Sequence, residues 1–242
     1  MHWGPGLVKP PAARSRRKPT LEGMANTLQD PKVAAALDRM YAEAKNQMPR
    51  LRERHGDFER PMSARERADA MSEFYIPVTP EAGRLLYALV RATRPATIVE
   101  FGMSFGISAV HLASAVRDNG GGRVVTTELN ATKVAAAKRT FTDTGLDDLI
   151  TILEGDALIT LAELDGPVDF VLLDGWKDLY LPVIKLLEPR FKAGVLVVAD
   201  NASAADTQPY LDRVRNPDNG YVSFNFHVRD SDSMEISCRT GD

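Results

Sequence analysis

The side chains best suited to chemistry in this chain follow two apolar runs. Phe170–Leu173 leads into Asp174, and Val195–Ala199 leads into Asp200 and Asn201. Uninterrupted runs of valine and leucine predict strands buried on both faces of a parallel sheet, and ligands bind beyond the carboxyl ends of such strands. Two carboxylates and one amide meeting there could bind a hard cation such as Mg²⁺. Either aspartate alone could be a turn residue, so the set of three carries the prediction.

A lysine stands three residues beyond the first of these aspartates. Lys177 lies near a predicted helix N-terminus, where the helix dipole disfavours a positive charge, and the alternative is a solvated surface lysine. A phenolic hydroxyl has a pKa of about 10. A divalent cation would stabilise its ionised form, and a nearby lysine could take its proton. Because Mg²⁺ keeps exchangeable waters, two adjacent hydroxyls on an aromatic ring are the expected acceptor.

A second set of residues indicates a nucleoside ligand. The first predicted strand-to-helix turn, Gly102–Ser108, has the pattern G-x-x-x-G-x-S and lacks the dinucleotide pattern G-x-G-x-x-G. About twenty residues later a predicted strand ends at Glu128, which is placed to bind both hydroxyls of a ribose. Further on, Asp156 could accept the adenine amino group or simply cap a helix. The spacing predicts an adenosine-type cofactor and leaves NAD and S-adenosylmethionine open.

Composition narrows the class of protein. The 242 residues suit one α/β domain with an extension, or at most two small domains. A net charge of −3 gives no reason to expect nucleic acid or an anionic membrane as a partner, and no apolar run approaches the roughly 20 residues that span a bilayer. The single cysteine, Cys238, excludes an intramolecular disulfide and fits a reducing cytoplasm.

The N-terminal part of the chain differs from the rest. Residues 1–23 carry prolines and an arginine cluster without the apolar core of a secretory signal, so we expect a disordered basic leader. Residues 24–75 predict a helical cap, with one helix after Asp30, a second over about Gln47–Arg54 and a third opened by a capping box at Ser63. The cap would pack on the main domain, close the active site or pair subunits, and the sequence does not separate these roles.

Beyond the cap, the pattern alternates between strands and helices. Five strands are predicted, at Thr97–Phe101, Arg123–Glu128, Leu149–Leu153, Val168–Leu173 and Ala193–Ala199. The alternating helices are predicted at Thr79–Arg91, Ser104–Arg117, Ala131–Thr142, a short stretch after Asp156, Leu179–Leu187 and Ala205–Arg213. Repeated units of this kind predict a doubly wound, mostly parallel α/β sheet. The last two strands should pair antiparallel, because only a short polar turn joins Tyr221–Val228 to Met234–Arg239.

Four motifs resemble one enzyme family: Leu173–Pro182, Ala199–Asn201, Thr127–Asn130 and the G-x-x-x-G-x-S turn. Through them the chain resembles the cation-dependent class I S-adenosylmethionine O-methyltransferases of the catechol O-methyltransferase type. The resemblance implies a Rossmann-like methyltransferase domain over residues 76–242. It also implies methyl transfer from S-adenosylmethionine to a vicinal aromatic diol, with Mg²⁺ or another divalent cation.

The resemblance implies roles for individual residues. Asp174, Asp200 and Asn201 would hold the cation, Lys177 would be the base beside Asp174, and Glu128 would bind the ribose. The other cofactor contacts implied are Val78, Glu100, Gly102, Ser104, Ser108, Leu129, Asp156, Ala157, Asp174 and Trp176.

The acceptor is expected against Lys177, Asn201 and Glu235, with Glu235 at the place where the family can bring an acid to the second hydroxyl. Two positions depart from the family pattern. Gly175 replaces a histidine next to the adenine, and Ser104 replaces an aromatic residue of the glycine turn. Neither change touches the metal chemistry, but both alter the pocket around the cofactor.

Two other functions stay open on sequence alone. A nicotinamide-dependent oxidoreductase would also use a glycine turn and a ribose-binding acid, although the dinucleotide glycines and a Tyr-x-x-x-Lys pair are missing. A non-catalytic protein that binds an adenosine ligand would use the same sheet without turnover. A homodimer formed through the N-terminal helices is a further expectation.

Overall fold

A computed structural model describes residues 26–54, 62–229 and 232–241, so the predicted leader lies outside the described residues. Seven strands form one sheet: β1 Thr97–Phe101, β2 Arg123–Glu128, β3 Ile150–Glu154, β4 Val168–Leu173, β5 Phe191–Ala199, β6 Tyr221–Arg229 and β7 Asp232–Arg239. Their order across the sheet is β3-β2-β1-β4-β5-β7-β6. The first five strands are parallel, whereas β7 runs antiparallel to both β5 and β6. The mostly parallel sheet and the antiparallel closing pair are thereby confirmed.

The helices of the described ranges are α1 Pro31–Glu53, α2 Ala64–Ala70, α3 Pro80–Thr93, α4 Ile107–Asn119, α5 Ala131–Thr144, α6 Ala157–Thr160, α7 Tyr180–Leu187 and α8 Gln208–Arg215. Side chains of α1, α3, α4 and α5 form the core on one face of the sheet, and those of α6, α7 and α8 form it on the other. This arrangement is the doubly wound fold expected from repeated strand–helix units. Within the described residues, no helix combines the length and apolar character needed to cross a membrane.

The register of three central strands decides where the chemistry can occur. Phe101 at the end of β1 pairs with Leu173 at the end of β4, and Leu173 pairs with Ala199 at the end of β5. The backbone N–H of Asp174 then donates to the Phe101 carbonyl at 2.8 Å, and that of Asp200 donates to the Leu173 carbonyl at 2.9 Å. The polar residues that follow these strands therefore lie side by side at the carboxyl edge.

Helix α1 corrects one prediction. The separate helix expected over about Gln47–Arg54 is the end of a single helix, which continues through Pro49. A proline removes a backbone hydrogen bond and ordinarily ends a helix. Here tertiary contacts hold the final turns: the Gln47 side chain bonds the backbone of Glu73 and Tyr75, and Arg50 pairs with the Glu73 carboxylate.

Helix α4 begins three residues later than expected. The prediction placed its start at Ser104, but Ser104 and Gly106 both have positive φ angles, of 51° and 91°. Left-handed residues cannot belong to a right-handed helix, so the turn extends to Gly106 and the helix begins at Ile107. The longer turn leaves its backbone facing the carboxyl edge, where a ligand can approach.

Candidate active site

A cavity opens at the carboxyl edge of the sheet, between the strand ends and α2. Helix α2 and the segment after it give this cavity an apolar wall made of Ala64, Ala68, Met71 and Ile76. Most of the residues expected to contact a cation, a cofactor or an acceptor also line it: Gly102, Ser104, Glu128, Leu129, Asp156, Ala157, Asp174, Trp176, Lys177 and Asn201.

Lys177 is held at this edge by two polar contacts. Its Nζ lies 3.5 Å from Oδ1 of Asp174 and donates to the hydroxyl of Tyr180 at 2.9 Å. Tyr180 is fully buried at the start of α7, and its hydroxyl donates to the backbone carbonyl of Asp200 at 3.0 Å. A continuous chain of contacts thus joins the lysine to the ends of β4 and β5.

The electrostatics of Asp174 fit a cation site. Burial raises the pKa of its carboxyl well above the usual range; the charge of Lys177 opposes the rise and the charge of Asp200 adds to it. A divalent cation beside both carboxylates would favour their ionised forms. With Asn201 the donor set is two carboxylates and one amide oxygen, the hard ligands that Mg²⁺ prefers. Among the described residues, no group of three or more His, Cys, Asp or Glu side chains is placed to hold a metal ion, so the amide of Asn201 is needed to complete the donor set.

Asn201 is oriented by an acid that the sequence interpretation missed. Its backbone has a φ of 54°, and its Nδ2 donates to Oδ2 of Asp232 at 2.5 Å. This bond directs the amide nitrogen to Asp232 and makes Oδ1 the amide atom available to a cation. No local pattern marked it: the predicted strand began at Met234, and only the antiparallel pairing of β7 with β5 brings its first residue to the edge where β5 ends. Asp232 is the first residue of β7.

Glu128 ties the end of β2 to the glycine turn. One carboxylate oxygen accepts from the backbone N–H groups of Leu129 and Asn130, at 2.9 and 2.8 Å, and the other accepts from the N–H of Ser104 at 2.8 Å. The two motifs that indicated a nucleoside ligand are therefore in direct contact. Asp156 lies further along this wall, is exposed, and caps α6 through the N–H of Leu158 at 2.9 Å.

The two departures from the family pattern have different surroundings. A Cβ at Gly175 would overlap the ring of Phe101, so the strand-end phenylalanine occupies the space that a side chain would need. On the opposite side, a Cβ at Gly102 would lie 2.5 Å from the Gly175 backbone. The loops after β1 and β4 therefore pack backbone to backbone. Ser104, in contrast, has a lysine beside it.

That lysine, Lys133, is the second residue that the sequence interpretation missed. It lines the cavity from the first turn of α5, with its Nζ 3.2 Å from Oγ of Ser104 and 5.4 Å from the centre of the Phe105 ring. Burial lowers its pKa, and the charge of Glu128 opposes that change. A lysine in the first turn of a helix opposes the helix dipole, which is the signal that marked Lys177 and was overlooked here.

Three expected cofactor residues are set back from the main cavity. Ser108 lines a smaller hollow beside it, together with Tyr75, Met103 and Asp174. Burial raises the pKa of Glu100 to about 7, and hydrogen bonds from Ser108 and Thr126 oppose the rise. Within the described residues, Oε1 of Glu100 is buried without a hydrogen-bond partner, as would suit an N–H donor of a ligand. Val78 is also buried.

Glu235 is not among the residues that line the cavity. It lies on β7 with 1% of its surface exposed, and its carboxylate accepts from Arg215 at 2.7 and 2.8 Å. The amide of Asn225 donates to it as well, at 2.9 Å. These partners occupy both carboxylate oxygens.

Comparisons with known proteins identify the family to which this fold belongs. A family model described as a methyltransferase domain matches residues 99–202. Catechol O-methyltransferase B of Danio rerio is 29% identical over 198 residues, which are 77% of this chain and 74% of that protein. Catechol O-methyltransferase of Sus scrofa is 31% identical over 140 residues, which are 55% of this chain and 74% of that protein.

Solved structures show the same fold at lower identity. An O-methyltransferase from Bacillus cereus in complex with SAH has a TM-score of 0.64 and 18% identity, and the match covers 83% of this chain and all of that one. Cofactor-bound Rv0187 from MTB has a TM-score of 0.66 and 22% identity over 88% of this chain and 92% of that one. These structures thus support the fold that the strand order defines.

Proposed function

Since the chain belongs to the catechol O-methyltransferase family of S-adenosylmethionine-dependent O-methyltransferases, we propose that it methylates one hydroxyl of a vicinal aromatic diol with the aid of a divalent cation. One observation carries the proposal: Lys177 contacts Asp174 directly and the backbone carbonyl of the buried Asp200 through Tyr180, and Lys177 and Asp174 line the cavity together with Asn201. Neither a nicotinamide-dependent oxidoreductase nor a non-catalytic binding protein accounts for this cluster.

Asp174, Asp200 and Asn201 would hold the cation. The support is the donor set itself, together with the contact that turns the Asn201 amide nitrogen toward Asp232. A divalent cation supplies charge that favours the ionised form of an acceptor hydroxyl. Asp232 orients Asn201 and would place a further acid beside the proposed site. Glu235 is less well situated to supply that acid, because Arg215 and Asn225 already bind its carboxylate.

Lys177 would take the proton of the acceptor hydroxyl at Nζ. Tyr180 fixes that atom beside Asp174, so the amine needs little reorganisation to reach a hydroxyl bound at the same edge. Methyl transfer from a sulfonium is an in-line displacement, which requires the acceptor and the donor to be aligned. Residues from three neighbouring strand ends can provide that alignment, because the sheet holds them rigidly.

The opposite end of the cavity would hold the adenosine. Glu128 would exchange its contact with the Ser104 N–H for the ribose hydroxyls, and Asp156 would accept from the adenine amino group. Leu129, Ala157 and Trp176 supply apolar surface around them. Gly102, Ser108 and Val78 would border the methionine part, where the buried Oε1 of Glu100 offers an acceptor to an ammonium group.

The acceptor would be a small aromatic molecule. Ala64, Ala68, Met71 and Ile76 form an apolar wall on the side facing the strand ends, and such a wall favours a flat, uncharged ring over a polar chain. Lys177 and Asn201 would then contact the two hydroxyls.

The test is methyl transfer from S-adenosylmethionine to 3,4-dihydroxybenzoate and several other catechols, with Mg²⁺ and then with excess EDTA. The substrate control is 4-hydroxybenzoate, which lacks the second hydroxyl. Lys177→Met should abolish turnover and leave S-adenosylmethionine binding intact. Lys185→Met, at an exposed position on α7, should behave as the unmodified chain.

The outcomes separate the parts of the proposal. Turnover of catechols that EDTA abolishes would support the cation and the diol together. Turnover that survives EDTA would contradict the cation assignment of Asp174, Asp200 and Asn201. Binding of S-adenosylmethionine without turnover of any catechol would contradict the diol acceptor.

A further inference from the structure

Helix α2 is tied to the edge of the cavity by one long side chain. The guanidinium of Arg67 donates to both carboxylate oxygens of Asp178, at 3.0 and 2.9 Å, across 111 residues of sequence. The same group lies 4.7 Å from the centre of the Trp176 ring. Arg67, Trp176 and Asp178 are called the Arg67 clamp below. Two of its members are the immediate neighbours of Lys177.

The same helix contacts the other end of the cavity. Asp69, two residues after Arg67, accepts from Nδ2 of Asn130 at 3.4 Å, and Asn130 caps α5 beside Glu128. Helix α2 therefore spans from the loop after β2, the proposed ribose side, to the loop after β4, which carries Lys177. On the same helix, Ala64 and Ala68 line the cavity.

We propose that Arg67 is a positioning residue for methyl transfer: its clamp holds α2 closed over bound S-adenosylmethionine and fixes the segment that carries Lys177. The part of this proposal that concerns cofactor retention requires only that the chain belongs to its family. The part that concerns Lys177 rests on the function proposed above. Arg67 does not itself touch the reacting atoms. It acts through Trp176 and Asp178.

The clamp has the strength expected of a closure that must reopen. The side chains of Arg67 and Asp178 are 21% and 46% exposed, so solvent weakens their ion pair. Adding the stacking on Trp176, the clamp should change cofactor affinity about tenfold. A lysine at position 67 would keep the charge but lose both the planar fork and the stacking surface. A conservative variant therefore separates the geometry of the clamp from its charge.

The experiment measures cofactor binding and the environment of Trp176 in the full chain. The chain has two tryptophans, so Trp3→Phe leaves Trp176 as the single fluorescent reporter. In that background, Kd and dissociation rates of S-adenosylmethionine and S-adenosylhomocysteine are compared for Arg67→Ala, Arg67→Lys, Asp178→Ala and the Arg67→Ala/Asp178→Ala double variant. The matched control is Arg65→Ala, at an exposed position on the same helix.

We expect Arg67→Ala to raise both Kd values about tenfold through faster dissociation and to shift Trp176 emission to the red. Arg67→Lys should recover part of the loss, and the double variant should be no worse than Arg67→Ala. Arg65→Ala should stay within about twofold of the parent. With any catechol that the parent chain methylates, Arg67→Ala should also lower kcat at saturating cofactor.

Cofactor binding and Trp176 emission that are the same in Arg67→Ala and Arg65→Ala would overturn the clamp. If Arg67→Ala binds the cofactor about tenfold more weakly but keeps the kcat of the parent chain, the closure of α2 over the cofactor would be supported and the effect on Lys177 would be overturned. A parent chain that binds S-adenosylmethionine yet methylates no diol would contradict the proposed function alone, because the binding comparison needs no turnover.

Discussion

The hydroxyl of Tyr180 accepts a hydrogen bond from Nζ of Lys177 at 2.9 Å. Tyr180 is the first residue of α7 and is fully buried, so its ring position is set by the core and not by solvent. Because the hydroxyl also donates to the Asp200 carbonyl, it connects the proposed base to the end of the neighbouring strand. The position of the lysine is thus determined by the packing of the hydrophobic core.

Replacing that hydroxyl should impair both catalysis and stability. Tyr180→Phe keeps the ring but frees Nζ of Lys177, and we expect kcat to fall about tenfold with an unchanged Kd for S-adenosylmethionine. The free energy of unfolding should fall by about 1–3 kcal/mol, because both hydrogen bonds of the hydroxyl are lost. Tyr210→Phe is the control, because that ring packs edge-on against Tyr180 at 5.9 Å. An equal loss of kcat in both variants would contradict the role of the hydroxyl.

Substitutions at Glu235 and at Asp232 should have different effects, the first on stability and the second on the metal dependence of activity. Glu235→Gln should lower the free energy of unfolding by about 1–2 kcal/mol, since it breaks a pair with the half-exposed Arg215 while leaving the cavity unchanged. Asp232→Ala should instead raise the metal concentration needed for half-maximal activity, because Asn201 loses its orienting acceptor. Thermal unfolding and metal titration of both variants would distinguish them. A metal effect in Glu235→Gln alone would restore Glu235 as the residue beside the acceptor.

Gly175 should not tolerate a side chain. Gly175→Ala would drive a methyl group into the Phe101 ring, and overpacking of this kind costs about 1–3 kcal/mol. Phe101→Leu in the same chain should recover part of that stability, because the smaller side chain vacates the space. Gly121→Ala is the control, since a Cβ there meets no atom within 4 Å. Chemical denaturation of Gly175→Ala, Phe101→Leu, their double variant and Gly121→Ala tests this; additive effects of Gly175→Ala and Phe101→Leu would refute the steric explanation.

Stability should decline in mild acid because of His111. Burial between α1 and α3 lowers the pKa of this histidine from 6.5 to about 4. Below pH 6.5 the unfolded chain binds a proton that the folded chain does not, so stability is lost as the pH falls from 6.5 toward 4. The loss should reach about 3 kcal/mol.

The measurement is the free energy of unfolding at several pH values for the parent chain and for His111→Gln. The difference in the free energy of unfolding between these two chains should change between pH 6.5 and about 4 and be constant above pH 6.5. His227→Gln, at an exposed position on β6, should run parallel to the parent. A difference that does not vary with pH would show that the pKa of His111 is the same in the folded and the unfolded chain.

Local sequence patterns predicted what depends on local rules. Apolar runs located the central strands, and the parallel connection rule brought Asp174, Asp200 and Asn201 to one edge. Glycine and proline signals set most helix ends to within a few residues. The end of α1 was predicted wrongly, because Gln47 and Arg50 bind Glu73 and these contacts stabilise the helix beyond Pro49.

Residues whose position depends on tertiary pairing could not be predicted in the same way. Asp232 reaches Asn201 only because β7 runs antiparallel beside β5. Arg67 meets Asp178 across 111 residues, and no local period reports such a contact. The helix-dipole signal at Lys133 does not report a cavity, and only the fold places this lysine in the cavity wall. The sequence thus predicts the edge at which chemistry occurs better than the walls that select ligands.

The contact between Gly175 and Phe101 has a consequence for how such sequences can diverge. The two positions share one volume, so a lineage that acquires a side chain after β4 must first, or simultaneously, reduce the residue that ends β1. In an alignment of relatives, residue size at positions 101 and 175 should therefore be inversely related. Glycine at 175 should accompany phenylalanine at 101, and a bulky residue at 175 should accompany a small one at 101. Divergence at this site would then proceed by paired substitutions and not by single ones.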